Sequence, residues 1–530
     1  MSASAATLPA LLAARTGVAR PLLVCDADRL GYNEAIARSA ELARGLIALG
    51  ACKGTHVGLL YPNGTDFVVA MLAVGRIGAV VVPFSTFATG AELHQQLRHS
   101  DIVILLAAAS FRDHDYMQRV TAAVGDLGGS EPIFAPDVPN LRHVVFGPVA
   151  TATLPARNIE HVYRLADSVD PALLAAVEHD VEGSDPLAIV YTSGSTGAPK
   201  GAVHSHEGLL AHQARLNQIR GLTEHETLFC NSPFFWIGGF AFGLLATLVA
   251  GATLVCSNAT DAGDTLDLIE AERPTMTNGF VAGITHLTQH PSFAARDLSS
   301  MRRGNLYPLM APDVRPRDPE LRHNMLGMTE SGSVVLLSGD ETDQPEHRRG
   351  SFGRPAPGVE TKIIDLETKD DVAIGDVGEL CLRGPNLMLR HHRRSREECF
   401  DTDDWFHTGD LVRADRDGFV YYLGRRDAMI KTAGANVSPV EVERAIARVT
   451  GGAAAHVVGL PHAERGQIVA AAVVVEHEGD LDEAALLDKL RTELSTYKIP
   501  RRVVPLAPSA VPVLSSGKVD RRQLMKVFDV

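Results

Sequence analysis

Short apolar runs of strand length alternate with stretches of helical spacing along the first part of the chain, and this alternation limits the fold more than any other feature. Glu34–Leu49, Asp66–Ile77 and Glu92–His99 read as helices, whereas Val57–Tyr61, Ala79–Phe84 and Ile102–Ala109 read as strands. Strands separated by helices pair in parallel, because the crossover between them needs a helix to bring the chain back. The expected class is therefore α/β, with parallel sheets covered by helices. At 530 residues the chain is too long for one core, so two or more domains are expected.

Near residue 425 the texture changes. Gly418–Gly424 reads as a strand ending in a turn, and a compact unit of about a hundred residues follows. Within it Ser438-Pro-Val-Glu441 is a helix start, with Ser438 as cap, Pro439 at the first helical position and Glu441 placed to complete a capping box. Ile468–Val475 reads as a buried strand and Asp482–Leu494 as a helix with acids at its N-terminal end. The boundary is placed at Arg425–Asp427, giving domains 1–424 and 425–530 with a hinge near Asp427.

Bulk properties remove several function classes. The net charge of −14 argues against a general nucleic-acid binder, which would carry a basic surplus, while leaving room for locally basic sites. Six cysteines lie far apart without a CxxC pair, so neither a zinc site nor a disulfide framework is suggested, and a reducing cytoplasm is the expected compartment. Met1–Ala14 lacks a basic leader, so no signal peptide is expected. Ile237–Cys256 is twenty residues without a charge, long enough to span a bilayer, but it holds four glycines. Its end, Gly251-Ala-Thr-Leu-Val-Cys256, reads as a turn and a buried strand, so a buried helix then strand is expected and no transmembrane segment.

The chemistry concentrates at residues 191–201, Tyr-Thr-Ser-Gly-Ser-Thr-Gly-Ala-Pro-Lys-Gly, directly after the apolar run Pro186–Val190. Thr192, Ser193, Ser195 and Thr196 supply hydroxyls, Gly194 and Gly197 let backbone N–H groups approach a ligand, and Lys200 adds a cation. That combination suits a polyphosphate. It is not a Walker A loop, in which lysine follows glycine and precedes Ser or Thr; here Pro199 precedes Lys200 and Gly201 follows it.

The segment resembles the signature of the AMP-forming adenylating enzymes, the superfamily of acyl-CoA synthetases, firefly luciferase and peptide-synthetase adenylation domains. Four further blocks extend the resemblance in order. Asn324-Met-Leu-Gly-Met-Thr-Glu330 resembles the family's Tyr-Gly-Met-Thr-Glu block. It implies that Thr329 bonds the α-phosphate and that Glu330 holds Mg²⁺, a metal that needs only one or two carboxylates beside phosphate oxygens. The aromatic residue that stacks on adenine is replaced by Leu326, and the Gly-Gly-Ala segment that lines adenine is replaced by Gly304-Asn-Leu-Tyr307, where Tyr307 is placed to compensate. Trp405-Phe-His-Thr-Gly-Asp-Leu411 is similar to the third signature and implies that Asp410 accepts from both ribose hydroxyls. Gly424-Arg-Arg-Asp427 implies that Arg425 contacts ribose and phosphate and that Asp427 is the hinge. Lys431–Pro439 resembles the loop that lines the pantetheine tunnel, with Gly434 beside the thiol arm and Ala435 where the family often has Glu. In Pro512–Arg521, Lys518 matches the catalytic lysine of adenylation, whose charge would bridge the attacking carboxylate and the α-phosphate.

The resemblance implies a large multi-lobed N-terminal domain and a small mobile α+β C-terminal domain. It implies ATP, Mg²⁺ and coenzyme A (as a substrate), together with a small-molecule carboxylic acid. The acyl group would be met by Pro233-Phe-Phe-Trp-Ile-Gly-Gly239, through Trp236, Gly238 and Gly239, and by Gly279–Thr285, through Gly279 and Val281. These residues are apolar or small and suit a medium- or long-chain fatty acid or a bulky ring-bearing acid. The expected activity is an ATP-dependent acid–CoA ligase working through acyl-AMP. Its rivals are an acyl-AMP ligase that serves a carrier protein, a luciferase-like oxygenase and a non-catalytic sensor. The basic run Arg390–Arg396 replaces the family's Gly-Tyr with Arg390-His391 and reads as a solvated face or, less expected, a CoA-phosphate contact. A homodimer stays open.

Overall fold

Strand Pro186–Thr192 runs in register with its parallel neighbour Val80–Pro83, Ala188 opposite Val81, at the centre of a seven-stranded sheet. The computed structural model describes residues 5–125, 127, 132–147, 158–192, 200–432, 435–462, 465–494, 498–514 and 518–528. Packing gathers the chain into two compact units, 1–360 with 383–404 and 361–382 with 405–530.

In the first unit, the seven-stranded sheet has the order 390–391, 200–205, 186–192, 80–83, 56–60, 104–107, 143–146. Its last five strands are parallel, joined by helices such as Thr65–Arg76 and Gly90–His99. Its first two strands are antiparallel additions at the edge. A second sheet, 303–304, 276–278, 227–230, 253–256, 21–25, 28–31, is parallel except for its final hairpin. One hydrophobic core joins the faces of both sheets, including Leu59, Val81, Ala188, Leu23, Leu228 and Leu254. Helix Thr65–Arg76 is buried along almost its whole length within that core, and Phe67 packs at 5.4 Å from Phe234. A helix covered on all sides reads as apolar all round, and Phe67–Val74 does so.

The uncharged run from Ile237 is buried: Gly238–Leu245 is wound as a π-helix, Ala246–Ala250 continues as α-helix, and Thr253–Cys256 is a core strand. Gly251 makes the break at φ +75°, the left-handed region where glycine carries no steric penalty. Among the described residues no helix is long and apolar enough to cross a membrane.

The second unit holds two sheets. One has the order 360–364, 378–383, 406–414, 420–425. The other centres on Gly466–Val474, flanked by Ala455–His462, Ile430–Thr432 and, in parallel, Arg502–Leu506. Ser438 caps helix Pro439–Thr450 by accepting from the Glu441 N–H. The Glu441 carboxylate pairs with Lys498 at 2.6 Å. Asp482 caps Glu483–Glu493 in the same way.

Candidate active site

Strands Pro186–Thr192 and Lys200–Ser205, on either side of the hydroxyl-rich segment, pair antiparallel. Lys200 stands opposite Thr192 and Gly201 opposite Tyr191, so the strands on either side fix both ends of the loop. Thr192 Oγ1 donates to the Lys200 carbonyl at 3.4 Å. Ser193, Gly194, Ser195, Thr196 and Gly197 lie outside the described residues.

The outgoing strand also holds the Met-Thr-Glu block. Leu326–Met328 is a short strand, and Thr329–Ser331 turns at its end, closed by Gly332 at φ +69°. His204, on strand Lys200–Ser205, hydrogen-bonds through Nε2 to the Thr329 carbonyl at 2.8 Å. The Met388 N–H donates to the Glu330 carbonyl at 2.8 Å, and Asn386 Nδ2 donates to that of Ser331 at 3.0 Å. Ser331 Oγ donates to the Ser333 carbonyl. With its backbone so held, the turn leaves the Thr329 and Glu330 side chains half-exposed. Burial pulls the His204 imidazole down to about 4, so the ring is neutral near pH 7. His391, in register with Ala202 on the edge strand, is buried as well. Burial lowers its pKa, the Glu330 charge opposes that shift and the Lys200 charge adds to it.

Leu326 lies opposite Leu336 on its strand and is half-buried. Tyr307 lines a cavity of about 70 Å³ together with Asn305, His323, Met325 and Glu341. Met325, the neighbour of Leu326, faces that cavity.

Four aromatic rings form the candidate acyl wall. Trp236 meets Phe280 edge-on at 5.1 Å and Phe235 at 5.4 Å, and Phe87 touches both Phe235 at 5.4 Å and Trp236 at 6.3 Å. Asn231 pins Phe280, donating to its carbonyl at 3.0 Å and accepting from its N–H at 2.9 Å. Gly279 is obligatory here: its φ is +147° and a Cβ would stand 1.7 Å from Asn231 Oδ1. Gly239 packs against the Pro233 carbonyl, 2.0 Å from where a Cβ would sit, whereas Gly238 has open room. Val281 and Phe280 are about half-exposed.

In the second unit Asp410 and Arg425 face each other across paired strands. Arg425 Nη1 lies 3.2 Å from the buried Asp410 carboxylate and donates to the Thr408 carbonyl at 2.7 Å. Lys518 is exposed, and its carbonyl accepts from the Leu514 N–H at 2.8 Å. Asp427 lies in the turn Arg426–Ala428 and Ala435 starts the strand Ala435–Val437; the side chains of both lie outside the described residues, as does Gly434 entirely.

The basic run is engaged within its own unit. Arg393 pairs with Asp101 at 2.7 Å, Arg396 with Asp404 at 2.8 Å, and His392 Nε2 lies 3.0 Å from Asp101.

Phe87, Phe280, His204 and Asn386 escaped the reading of the sequence. Phe280 sat beside two chosen residues, and its ring next to Gly279 was a usable signal. His204 and Asn386 act from 125 and 55 residues away, a separation that local patterns do not encode.

The family described as AMP-binding enzyme matches residues 12–391, and that described as AMP-binding enzyme C-terminal domain matches 441–518. The chain is 31% identical over 493 residues, 92% of its length and 91% of the relative's, to a propanoyl:CoA ligase of Mycobacterium tuberculosis whose acyl group carries a methyl-dioxo-octahydroindenyl ring system. It is 26% identical to the mitochondrial medium-chain acyl-CoA ligase ACSF2 of Macaca fascicularis, covering 94% of this chain and 83% of that one. The solved structure of the anthranilate CoA ligase AuaEII with anthranoyl-AMP superposes with a TM-score of 0.78 at 21% identity, covering 98% of this chain and 97% of that one.

Proposed function

The chain belongs to the AMP-binding enzyme family and is an AMP-forming acyl-CoA synthetase, and on that premise we propose that its acid substrate has an apolar body, a fatty chain or a bulky ring system. ATP and CoA are its co-substrates, and the reaction passes through an acyl adenylate. The observation that carries the substrate class is the wall of Phe87, Phe235, Trp236 and Phe280. Edge-on aromatic rings offer apolar surface and shape selection without a charge to pair with a second polar group on the acid.

Each position that matches a family signature then has a task. Thr192 and Lys200, with Ser193, Gly194, Ser195, Thr196 and Gly197 between them, would cradle the β- and γ-phosphates. Thr329 would bond the α-phosphate. Asp410 would accept from the ribose hydroxyls, with Arg425 beside it. Lys518 would bridge the carboxylate and the α-phosphate, offsetting charge as the acid attacks phosphorus and pyrophosphate leaves. Leu326 offers adenine no aromatic stack at its own position, a loss of about 0.5–1.5 kcal/mol that Tyr307 would partly offset. Turning at Asp427 would withdraw Lys518 and present Gly434 and Ala435 to the pantetheine arm, so that the CoA thiol attacks the mixed anhydride and AMP leaves.

The donor set fits magnesium. Among the described residues no three His, Cys, Asp or Glu side chains gather to hold a metal, and magnesium asks for one or two carboxylates with phosphate oxygens and water. Glu330 is the carboxylate that would hold it, and the bound ion would neutralise phosphate charge.

The test is mass spectrometry of products from the protein, Mg-ATP and a panel of carboxylic acids, with and without CoA. AMP plus one dominant acyl-CoA from a fatty or ring-bearing acid is the expected result. Turnover of small polar or dicarboxylic acids alone would reject the substrate class. Acyl-AMP that persists despite CoA would make a carrier protein the acceptor.

A further inference from the structure

Beneath the Thr408–Asp410 bulge of strand Phe406–Ala414 lies an acid that the reaction as described leaves unused. Glu379, on strand Gly378–Arg383, has a side chain only 1% exposed. Its Oε1 accepts the Gly409 N–H at 2.9 Å. Its Oε2 lies 3.1 Å from Arg426 Nη1 and 3.7 Å from His407 Nδ1. Gly409 has φ +72°, and a Cβ there would stand 3.0 Å from the Arg425 guanidinium, so the bulge is tight against Arg425. Thr408 completes the arrangement: its Oγ1 donates to the Leu380 carbonyl at 2.7 Å and accepts the Asp410 N–H at 3.0 Å.

One buried carboxylate thus ties together the two strands that carry Asp410 and Arg425. It holds the first through the Gly409 backbone and the second through Arg426, the residue after Arg425. Stability is a weak reason for such an ion, because a buried ion pair returns little net free energy over apolar packing of the same volume. Precise placement of a neighbouring group is a better one, since a ligand-binding side chain is only as well oriented as the groups that hold it.

We propose that Glu379 is the positioning residue of the nucleotide's ribose grip, clamping the Thr408–Asp410 bulge to Arg426 so that the Asp410 carboxylate is set for the two ribose hydroxyls. The inference rests on the assignment of Asp410 to the ribose and adds the group that sets its geometry.

The experiment is calorimetric titration of the full chain with Mg²⁺ and either ATP or 2′,3′-dideoxy-ATP, which lacks both hydroxyls. The wild-type protein is expected to favour ATP by at least ~10-fold, the value of a hydrogen bond to a charged acceptor. Asp410→Asn removes that preference. Glu379→Gln keeps the shape and can still accept from Gly409, yet loses the charge that holds Arg426. Its preference for ATP should fall to within about threefold while affinity for the dideoxy nucleotide is kept. Equal loss for both nucleotides, or an undiminished preference, overturns the proposal. A wild-type protein without preference, or a preference that survives Asp410→Asn, removes the ribose assignment itself and the clamp with it. Arg426 is about half-exposed, so Arg426→Gln tests the other side of the clamp should Glu379→Gln fail to fold. A full preference for ATP in Arg426→Gln overturns the proposal equally.

Discussion

His204 Nε2 lies 2.8 Å from the Thr329 carbonyl oxygen, so strand Lys200–Ser205 and the turn carrying Glu330 are joined by one buried hydrogen bond. The ring is fully enclosed and neutral, which leaves Nε2–H as its donor to that carbonyl. Replacing it by alanine leaves a carbonyl without its donor and a space beneath the turn, at a cost of about 1–3 kcal/mol. His204→Ala should therefore lower kcat/KM for ATP by about tenfold or more in a pyrophosphate-release assay. His204→Gln, which can offer an amide donor, should recover part of it. A variant with unchanged ATP kinetics would show that the strand and the turn are positioned independently.

The acyl wall makes a separable prediction. Trp236 and Phe280 touch at 5.1 Å, and aromatic pairs of this kind contribute about 0.5–1.5 kcal/mol beyond buried area. Trp236→Ala and Phe280→Ala should each raise KM for the acid about 3- to 20-fold while KM for ATP stays within about twofold. Equal effects on both substrates would mean that the rings support the fold and do not meet the acyl group.

Much of this architecture was legible because its determinants are local. The alternation of helical and strand-like runs places the observed elements to within a few residues: helix Tyr32–Ala48 against an expected Glu34–Leu49, and strand Gly466–Val474 against Ile468–Val475. Ser438 acts as the cap its side chain suggests, because capping depends on residues three apart. The rest depends on distant partners. Glu441 completes the first-turn spacing of a capping box, but its carboxylate pairs with Lys498, 57 residues on. At the start of the π-helical segment Gly238–Leu245, Gly239 packs against the Pro233 carbonyl, a contact invisible to periodicity. Phe87 joins Trp236 across nearly 150 residues, and Glu379 meets Arg426, 47 residues on.

Lys518 is exposed, so its removal should leave the fold intact. Lys518→Ala should lower pyrophosphate release with the best acid by at least about 100-fold, the scale of losing one charge that stabilises a transition state. The thermal midpoint should stay within about 2 °C, as for a surface substitution. Thioester formation from supplied acyl-AMP and CoA should be much less affected, since that step does not use the lysine. Undiminished pyrophosphate release would remove the assignment.

Three buried histidines give stability a pH dependence of known sign. Burial holds His204, His206 and His212 at about 4, below the unfolded value of 6.5. His206 Nδ1 accepts the Leu8 N–H at 3.1 Å, an acceptor that protonation would abolish. Between those two pKa values the unfolded chain binds more protons than the folded one, so stability is fully present above about pH 6.5 and is lost as pH falls toward about 4. Each ring contributes up to ~3 kcal/mol over that window, without strict additivity because His204 and His212 interact. The thermal midpoint should fall steadily from pH 7 to pH 5. In His206→Gln, whose amide oxygen can still accept from Leu8, the fall should be shallower even if the midpoint at pH 7 is lower. A wild-type midpoint that stays flat across this range, or an identical slope in the variant, would show that these rings are not what links folding to protons.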